Sequence, residues 1–205
     1  MISFSLILEI TGTFAFAISG IRLASAKRFD WFGAYVVGVA TAIGGGTIRD
    51  IQLGVTPFWM TNSLYLICSA IALLWVILFG KTLNRMAQTF FIFDTLGLAL
   101  FTVVGIEKTL ALGFPFWVAV TMGCITGAAG GVIRDIMIND IPLIFRKEVY
   151  ATACVAGGLA YWLCYLIQIP TPITQILSGV VVLITRILAV KYHLTLPILQ
   201  SGKNR

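Results

Sequence analysis

Two short segments, one in each half of the chain, combine glycines with an arginine and an aspartate. The first reads GGGTIRDI over residues 44–51, and the second reads AGGVIRDI over residues 129–136. Carboxylates can bind cations, and a glycine run can free backbone carbonyls where it bends or unwinds a helix. Both segments lie in otherwise apolar runs, where charged side chains are costly and mark ion or substrate pathways. The doubled pattern therefore indicates a membrane protein that moves a solute.

The composition indicates an integral membrane protein. Of the 205 residues, 59% are hydrophobic and 11% are charged, and the mean hydropathy is +0.99. A soluble domain carries about 25% charged residues. The net charge of +6 comes from basic residues spread over short loops without interleaved aromatic residues, so we expect no nucleic-acid partner. The four cysteines form no CxxC pair and histidine occurs once, so we expect no cofactor and no tightly bound metal.

Seven apolar segments are long enough to be transmembrane helices, each of which needs about 20 residues. These spans are residues 4–22, 31–53, 61–80, 89–106, 115–138, 149–168 and 172–191. Lys and Arg are concentrated in the loops after spans 1, 3 and 5 and in the C-terminal tail. Cytoplasmic loops carry such an excess of basic residues. We therefore expect the N-terminus outside the cell and the C-terminus in the cytoplasm.

An ungapped alignment relates two parts of the chain. Residues 9–57 and 94–142 are identical at 16 of 49 positions, which include Gly, Thr, Pro and Arg-Asp matches that shared hydrophobicity does not produce. Each repeat holds three spans, so the second copy must enter the membrane from the other side, as in many transporters. The sequence predicts an all-α membrane domain over 1–205, with inverted three-helix repeats at 1–85 and 86–170 and a seventh helix with a short tail at 171–205.

The glycines predict a kink or a local unwinding in spans 2 and 5, at Gly44, Gly45 and Gly46 and at Gly130 and Gly131. Backbone groups freed by unwinding must face protein or a water-filled cavity, because lipid cannot bond them. The break would then line a pathway and present carbonyls to a cation. Close packing of helices is the alternative, since small residues let two backbones approach.

Matched polar and aromatic residues flank the two glycine elements. Thr41 and Thr126 lie one turn before the glycines. Their hydroxyls could contact a permeant ion or bond back to the carbonyl four residues earlier. Phe16 and Phe101 occupy matched positions in spans 1 and 4, where they form either a hydrophobic constriction or part of the core.

Acidic residues in spans 1 and 4 are candidate partners for the two arginines. Neighbouring residues of a helix do not face each other, so Arg49 need not pair with Asp50. We predict two ion pairs between helices, Glu9 with Arg49 and Asp94 with Arg134. Solvation of all these charges at the membrane interface is the alternative.

Under this pairing, Asp50 and Asp135 remain available to cations. A protease dyad would require these aspartates to share a proton at close range, whereas the repeat directs them towards opposite membrane faces. The chain has no GxSxG, HExxH or GxxxxGK[ST] motif, so we expect no enzyme. Lys147 is expected to anchor the start of span 6 or to reach a cytoplasmic mouth. Arg186 has no evident partner and is expected to snorkel.

The doubled GGGxxRD-type element, one in each three-helix repeat and followed by a seventh helix, resembles the prokaryotic trimeric intracellular cation (TRIC) channels. Their relatives include bacterial inner-membrane proteins, some of them labelled as glycine transporters. The resemblance covers essentially the whole chain and implies a homotrimer in the cell (inner) membrane. It also implies a pore in each protomer, lined by helices 2 and 5 kinked at their glycines, that conducts K⁺ and also Na⁺. Ala129 departs from the pattern by replacing the first glycine of the second element.

A carrier is the alternative to a channel. An alternating-access carrier for a small solute such as glycine can use the same inverted repeats. A channel needs only a continuous wet path, whereas a carrier needs two gates and a saturable site. The sequence does not separate these two functions.

Overall fold

The computed structural model describes residues 4–85, 89–146 and 149–195, and within these ranges the chain forms eight α-helices and one 3-10 helix. The α-helices are α1 Phe4–Ala26, α2 Trp31–Gln52, α3 Phe58–Thr61, α4 Leu64–Arg85, α5 Thr89–Ala111, α6 Phe116–Met137, α7 Ala151–Leu166 and α8 Thr171–Lys191. The 3-10 helix is Leu143–Phe145. Seven of the helices coincide with the predicted spans to within a few residues, and the single-turn α3 was not predicted. Lys147 lies outside the described residues.

Five helices in the described part of the chain are long and apolar enough to cross a membrane, namely α1, α2, α5, α6 and α8. Each has 21 to 23 residues. At a rise of about 1.5 Å per residue, this length matches the thickness of a bilayer core. Helices α4 and α7 contain shorter apolar stretches, Leu64–Gly80 and Ala151–Leu166. The prediction of an all-α membrane protein is confirmed.

Helices α2 and α6 end in the same way, just after their Arg-Asp pairs. Gly54 and Asn139 adopt the left-handed conformation, with φ of +70° and +57°. In each case the next N–H bonds to the carbonyl five residues earlier, that of Asp50 at 2.9 Å or Asp135 at 2.8 Å. This Schellman arrangement satisfies carbonyls that a helix end otherwise leaves unpaired. The Arg-Asp pairs therefore lie where the chain leaves each helix.

Helices α1, α2, α5 and α6 pack against one another at the centre of the molecule, with α4 against α1 and α2. Helices α7 and α8 pack together and also contact α5, while α7 contacts α6. Arg186 of α8 is only 1% exposed. The expectation that Arg186 snorkels is therefore wrong, because aromatic rings and a backbone carbonyl surround its guanidinium inside the protein.

Polar contacts between helix ends define two ends of the bundle. At one end, Ser5 near the start of α1 donates to Glu107 in the last turns of α5, at 2.9 Å. At the other end, Lys27 after α1 lies 3.7 Å from Asp140 after α6. The loops after α1 and α6 thus share one end, as expected if these helices cross the membrane in the same direction.

Candidate functional site

The central feature of the molecule is the crossing of α2 and α6 at their glycines. A Cβ atom on Gly45 would clash with the carbonyl oxygen of Thr126, and a Cβ atom on Gly130 would clash with the carbonyl oxygen of Thr41. The two contacts are equivalent under the repeat, because Gly130 is the counterpart of Gly45 and Thr126 is the counterpart of Thr41. Only glycine fits at Gly45 and Gly130, because the facing atoms are backbone and cannot move aside.

The neighbouring glycines accommodate side chains. A Cβ on Gly44 would lie 2.5 Å from Cδ1 of Ile133, one on Gly46 would lie 2.5 Å from Cε1 of Phe58, and one on Gly131 would lie 2.5 Å from the hydroxyl of Tyr150. Both helices are continuous α-helices through these residues. Local unwinding was therefore a wrong expectation for this conformation, since the glycines allow close packing without breaking the helix.

The matched threonines bond within their own helices. The hydroxyl of Thr41 donates to the carbonyl of Val37 at 2.6 Å, and that of Thr126 donates to the carbonyl of Met122 at 2.5 Å. Both side chains are buried. The back-bonding alternative is the arrangement seen, and contact with a permeant ion stays a prediction.

The matched phenylalanines lie in the core between α1 and α5. Phe16 and Phe101 stack with ring centroids 5.5 Å apart and an interplanar angle of 13°, and both are buried. The ring of Phe16 occupies the space beside Gly97, and the ring of Phe101 occupies that beside Gly12. The core interpretation fits this geometry, and a constriction formed by the two rings stays a prediction.

Five polar residues of α1, α2, α4 and α5 form the first cluster, Glu9, Arg49, Asp50, Tyr65 and Lys108. Oδ1 of Asp50 accepts from Nε of Arg49 at 2.9 Å and lies 2.9 Å from Nζ of Lys108. Oε2 of Glu9 accepts a hydrogen bond from the Tyr65 hydroxyl. The predicted Glu9–Arg49 pair is therefore wrong. The long side chain of Arg49 reaches the adjacent Asp50, and the carboxylate of Glu9 bonds to Tyr65 instead.

The second cluster comprises the residues Ser19, Asp94, Arg134, Asp135 and Tyr150. Nη1 of Arg134 bonds to Oδ1 of Asp94, which is the predicted ion pair, and donates to Oγ of Ser19 at 2.9 Å. Nε of Arg134 donates to Oδ1 of Asp135 at 2.8 Å. The Tyr150 hydroxyl donates to Oδ1 of Asp94 at 3.4 Å. Asp94 and Arg134 are both fully buried.

The two aspartates that follow the arginines hold the chain after each helix. Oδ2 of Asp50 accepts from the backbone N–H of Phe58 at 2.9 Å, and Oδ2 of Asp135 accepts from that of Leu143 at 3.0 Å. Both carboxylates are buried, and both their oxygens are bonded. The expectation that Asp50 and Asp135 are available to cations is wrong for this conformation. They also belong to separate clusters, so they do not form a protease dyad.

Some buried polar atoms of the clusters make no hydrogen bond to any residue that the structure describes. They are Nη1 of Arg49, Nη2 of Arg134 and Oδ2 of Asp94. The guanidinium groups of the two arginines also lie against aromatic rings, Arg49 beside Phe58 at 5.8 Å and Arg134 beside Phe90 at 4.7 Å from the ring centroid. Within the described ranges, no three His, Cys, Asp or Glu side chains are grouped to hold a metal ion.

The sequence interpretation missed four contributors to the clusters, namely Ser19, Tyr65, Lys108 and Tyr150. Tyr65 and Tyr150 are equivalent under the same shift in numbering that relates Gly45 to Gly130, so an extension of the repeat alignment beyond Pro57 would have found them. Lys108 was not among the predicted site residues, and its place in the first cluster has no counterpart in the repeat, because the equivalent residue is Leu23.

The helices and the two buried charge clusters define an all-α integral membrane protein. A family model described as "Glycine transporter" matches residues 6–81 and again residues 91–166. The second match is offset from the first by the same interval as the repeat. The UPF0126 inner membrane protein YadS of Escherichia coli (strain K12) is 38% identical over 200 residues, which cover 96% of this chain and 97% of the relative.

Solved structures extend this similarity to the whole fold. A TRIC cation channel structure shares 34% identity and a TM-score of 0.86, over 98% of this chain and 99% of the other. The TRIC channel orthologue of Rhodobacter sphaeroides has a TM-score of 0.88 at 29% identity, over 93% and 98% of the two chains. The chain therefore belongs to the TRIC channel family, as its doubled motif predicts. By their names, these similar proteins are cation channels or inner membrane proteins.

Proposed function

We propose that the protein forms a channel for monovalent cations, chiefly K⁺ with Na⁺ also passing. The observation that carries this proposal is the likeness to TRIC cation channels over nearly the full length of both chains, at 34% identity. The two buried charge clusters place charged side chains inside an otherwise apolar membrane domain, where such groups typically mark ion pathways.

The proposed architecture has seven transmembrane helices, α1, α2, α4, α5, α6, α7 and α8. Residues 1–85 and 86–170 form the two inverted repeats, and residues 171–205 form the seventh helix and tail. Two observations support this arrangement. The same family model matches both halves. The Gly45–Thr126 contact is also the counterpart, under the repeat, of the Gly130–Thr41 contact.

The proposed route lies between α2 and α6 in each protomer of a homotrimer. The backbones touch at Gly45 and Gly130, so conduction requires the two helices to separate or bend there. Glycine permits such a bend at little steric cost. The charge clusters lie at opposite ends of this crossing, where each arginine follows the glycines by one to two turns.

The proposed location is the cell (inner) membrane, with the N-terminus outside and the C-terminus cytoplasmic. The distribution of Lys and Arg supports this orientation. The contact of Lys27 with Asp140 supports it further, because the two loops that it joins are both assigned to the cytoplasm.

Ion-replacement flux into proteoliposomes tests the function. We expect uptake of K⁺ and Na⁺ that follows the membrane potential, with little movement of Cl⁻ or glycine. Protein-free vesicles and the Gly45→Leu variant are the controls, since a leucine there collides with the Thr126 carbonyl. Equal flux in the variant and the wild type would contradict the proposed route.

A carrier for glycine or a similar small solute is the second candidate. The description of the matching family model as "Glycine transporter" is the observation that favours it. A carrier would show saturable glycine uptake and exchange of labelled for unlabelled glycine. Measured in the same vesicles, that result would replace the channel proposal.

A further inference from the structure

Contacts with Tyr150, Phe91 and Val149, among the described residues, hold Arg186 of α8 beside the second cluster. Its guanidinium carbon lies 4.9 Å from the ring centroid of Tyr150 and 5.4 Å from that of Phe91. Its Nη1 donates to the carbonyl of Val149 at 2.9 Å. The arginine therefore fixes both the ring of Tyr150 and the backbone just before it, and it joins α8 to α5 and to the start of α7.

Tyr150 in turn touches both the glycine element and the acid of the second cluster. Its hydroxyl lies 2.5 Å from the position that a Cβ on Gly131 would occupy, and the same hydroxyl donates to Oδ1 of Asp94 at 3.4 Å. Tyr150 is 1% exposed. A displacement of this ring would therefore loosen α6 at Gly131 and would release a hydrogen bond from the acid that pairs with Arg134.

The first cluster is supported differently. Tyr65, the residue equivalent to Tyr150, packs edge-on against Phe58 with ring centroids 4.4 Å apart and an interplanar angle of 80°. Phe58 also fills the space beside Gly46. Short-range contacts from α3 and α4 thus support the first glycine element, whereas the second depends on a helix outside the repeat.

We propose that Arg186 is a positioning residue that presses Tyr150 against Gly131, so that α8 braces the second glycine element and leaves the first untouched. Arg186 acts through Tyr150 and contacts no solute. A desolvated contact between a guanidinium and an aromatic ring is stronger than an exposed one, which suits this role. The effect on conduction rests on the proposed function, while the brace itself can be tested without any transport.

The alkylation rate of the Cys154 thiol measures whether Arg186 holds Tyr150 in place, an arrangement that we call the brace. This thiol is fully buried and donates to the carbonyl of Tyr150 at 3.8 Å. Alkylation by a small maleimide, resolved by peptide mass spectrometry, should become roughly tenfold faster in Arg186→Gln, because local opening then needs less free energy. Arg186→Lys, which keeps the charge but loses the flat guanidinium, should give an intermediate rate. Lys191→Gln on the same helix is the matched control.

Cys68 in α4 is the internal reference for general loosening. The proposal predicts that its alkylation rate stays the same in Arg186→Gln. An unchanged rate at Cys154, or an equal rise at Cys154 and Cys68, would overturn the brace.

A double-mutant cycle on K⁺ flux tests whether Arg186 acts through Tyr150. Arg186→Gln should change the flux severalfold in the wild-type background and should add nothing in a Tyr150→Ala background. Additive effects would show that Arg186 acts elsewhere and would contradict the proposal. If the wild type moves no cation, the proposed function fails, and the alkylation of Cys154 still decides whether the brace exists.

Discussion

The two charge clusters occupy equivalent places in the repeat but have opposite charge patterns. In the first, one carboxylate, Asp50, contacts two cations, Arg49 and Lys108. In the second, one cation, Arg134, contacts two carboxylates, Asp94 and Asp135. The helices and their crossing are thus the same in both repeats. The central group of the cluster, however, is a carboxylate in the first repeat and a guanidinium in the second. On the proposed route, a permeant cation would meet different fields at the two ends.

The largest expected effect comes from removal of the shared arginine of the second cluster. Arg134→Met leaves Asp94 and Asp135 buried without their cation, which should cost about 3–5 kcal/mol of stability. Arg49→Met leaves Asp50 still bonded to Lys108 and should cost about 2 kcal/mol. Thermal unfolding in detergent, followed by fluorescence or by loss of the monodisperse peak, measures both. Equal losses would remove the proposed difference between the clusters.

The glycine crossing should show the symmetry that the clusters lack. Gly45→Ala and Gly130→Ala each place a Cβ on a facing carbonyl, so each should cost about 3 kcal/mol by overpacking and should sharply reduce K⁺ flux. Gly80→Ala in α4 is the control, since a Cβ there would meet no atom of the described residues within 4 Å. An effect of only one of the two crossing variants would show that the crossing is as asymmetric as the clusters.

Removal of Lys108 tests the part of the first cluster that has no counterpart. Its side chain is 29% exposed, so Lys108→Met should cost only about 1 kcal/mol, because solvent screens the pair and Arg49 still neutralises Asp50. The larger change is expected in the current, where the loss of a positive charge beside the route should raise cation flux. Flux measured at low and high ionic strength checks this, and no dependence on salt would place Lys108 away from the route.

The smallest effects are expected from the two tyrosine hydroxyls. Tyr65→Phe removes the hydrogen bond to Glu9 and should cost about 1 kcal/mol. Tyr150→Phe removes a bond that is already 3.4 Å long, so its cost should be smaller. Paired unfolding curves in the same detergent measure the difference, and a larger loss at Tyr150 would show that the second cluster depends on this hydroxyl.

Much of the fold was predictable from the sequence because apolar length and the constant offset between the repeats are strong signals. These signals predicted the helix positions, and the repeat also predicted the Asp94–Arg134 pair. The doubled element also led to the correct family. These features depend on backbone spacing and hydrophobicity, which a single sequence records directly.

Side-chain partners were less predictable because they depend on small differences between the repeats. Arg134 finds an acceptor in Ser19, whereas the equivalent position near Arg49 is Val104, which offers none. Glu9 is one methylene longer than Asp94 and bonds to Tyr65. The glycines permit either a break or close packing, and the sequence alone cannot choose between these two uses.

Currents through single molecules in a planar bilayer with a KCl gradient test most directly whether the protein conducts cations. A channel for monovalent cations should give unitary steps whose reversal potential lies near that of K⁺ and shifts when Na⁺ replaces K⁺ on one side. A bilayer that shows no unitary current, together with saturable glycine uptake by the same preparation, would contradict the proposed channel.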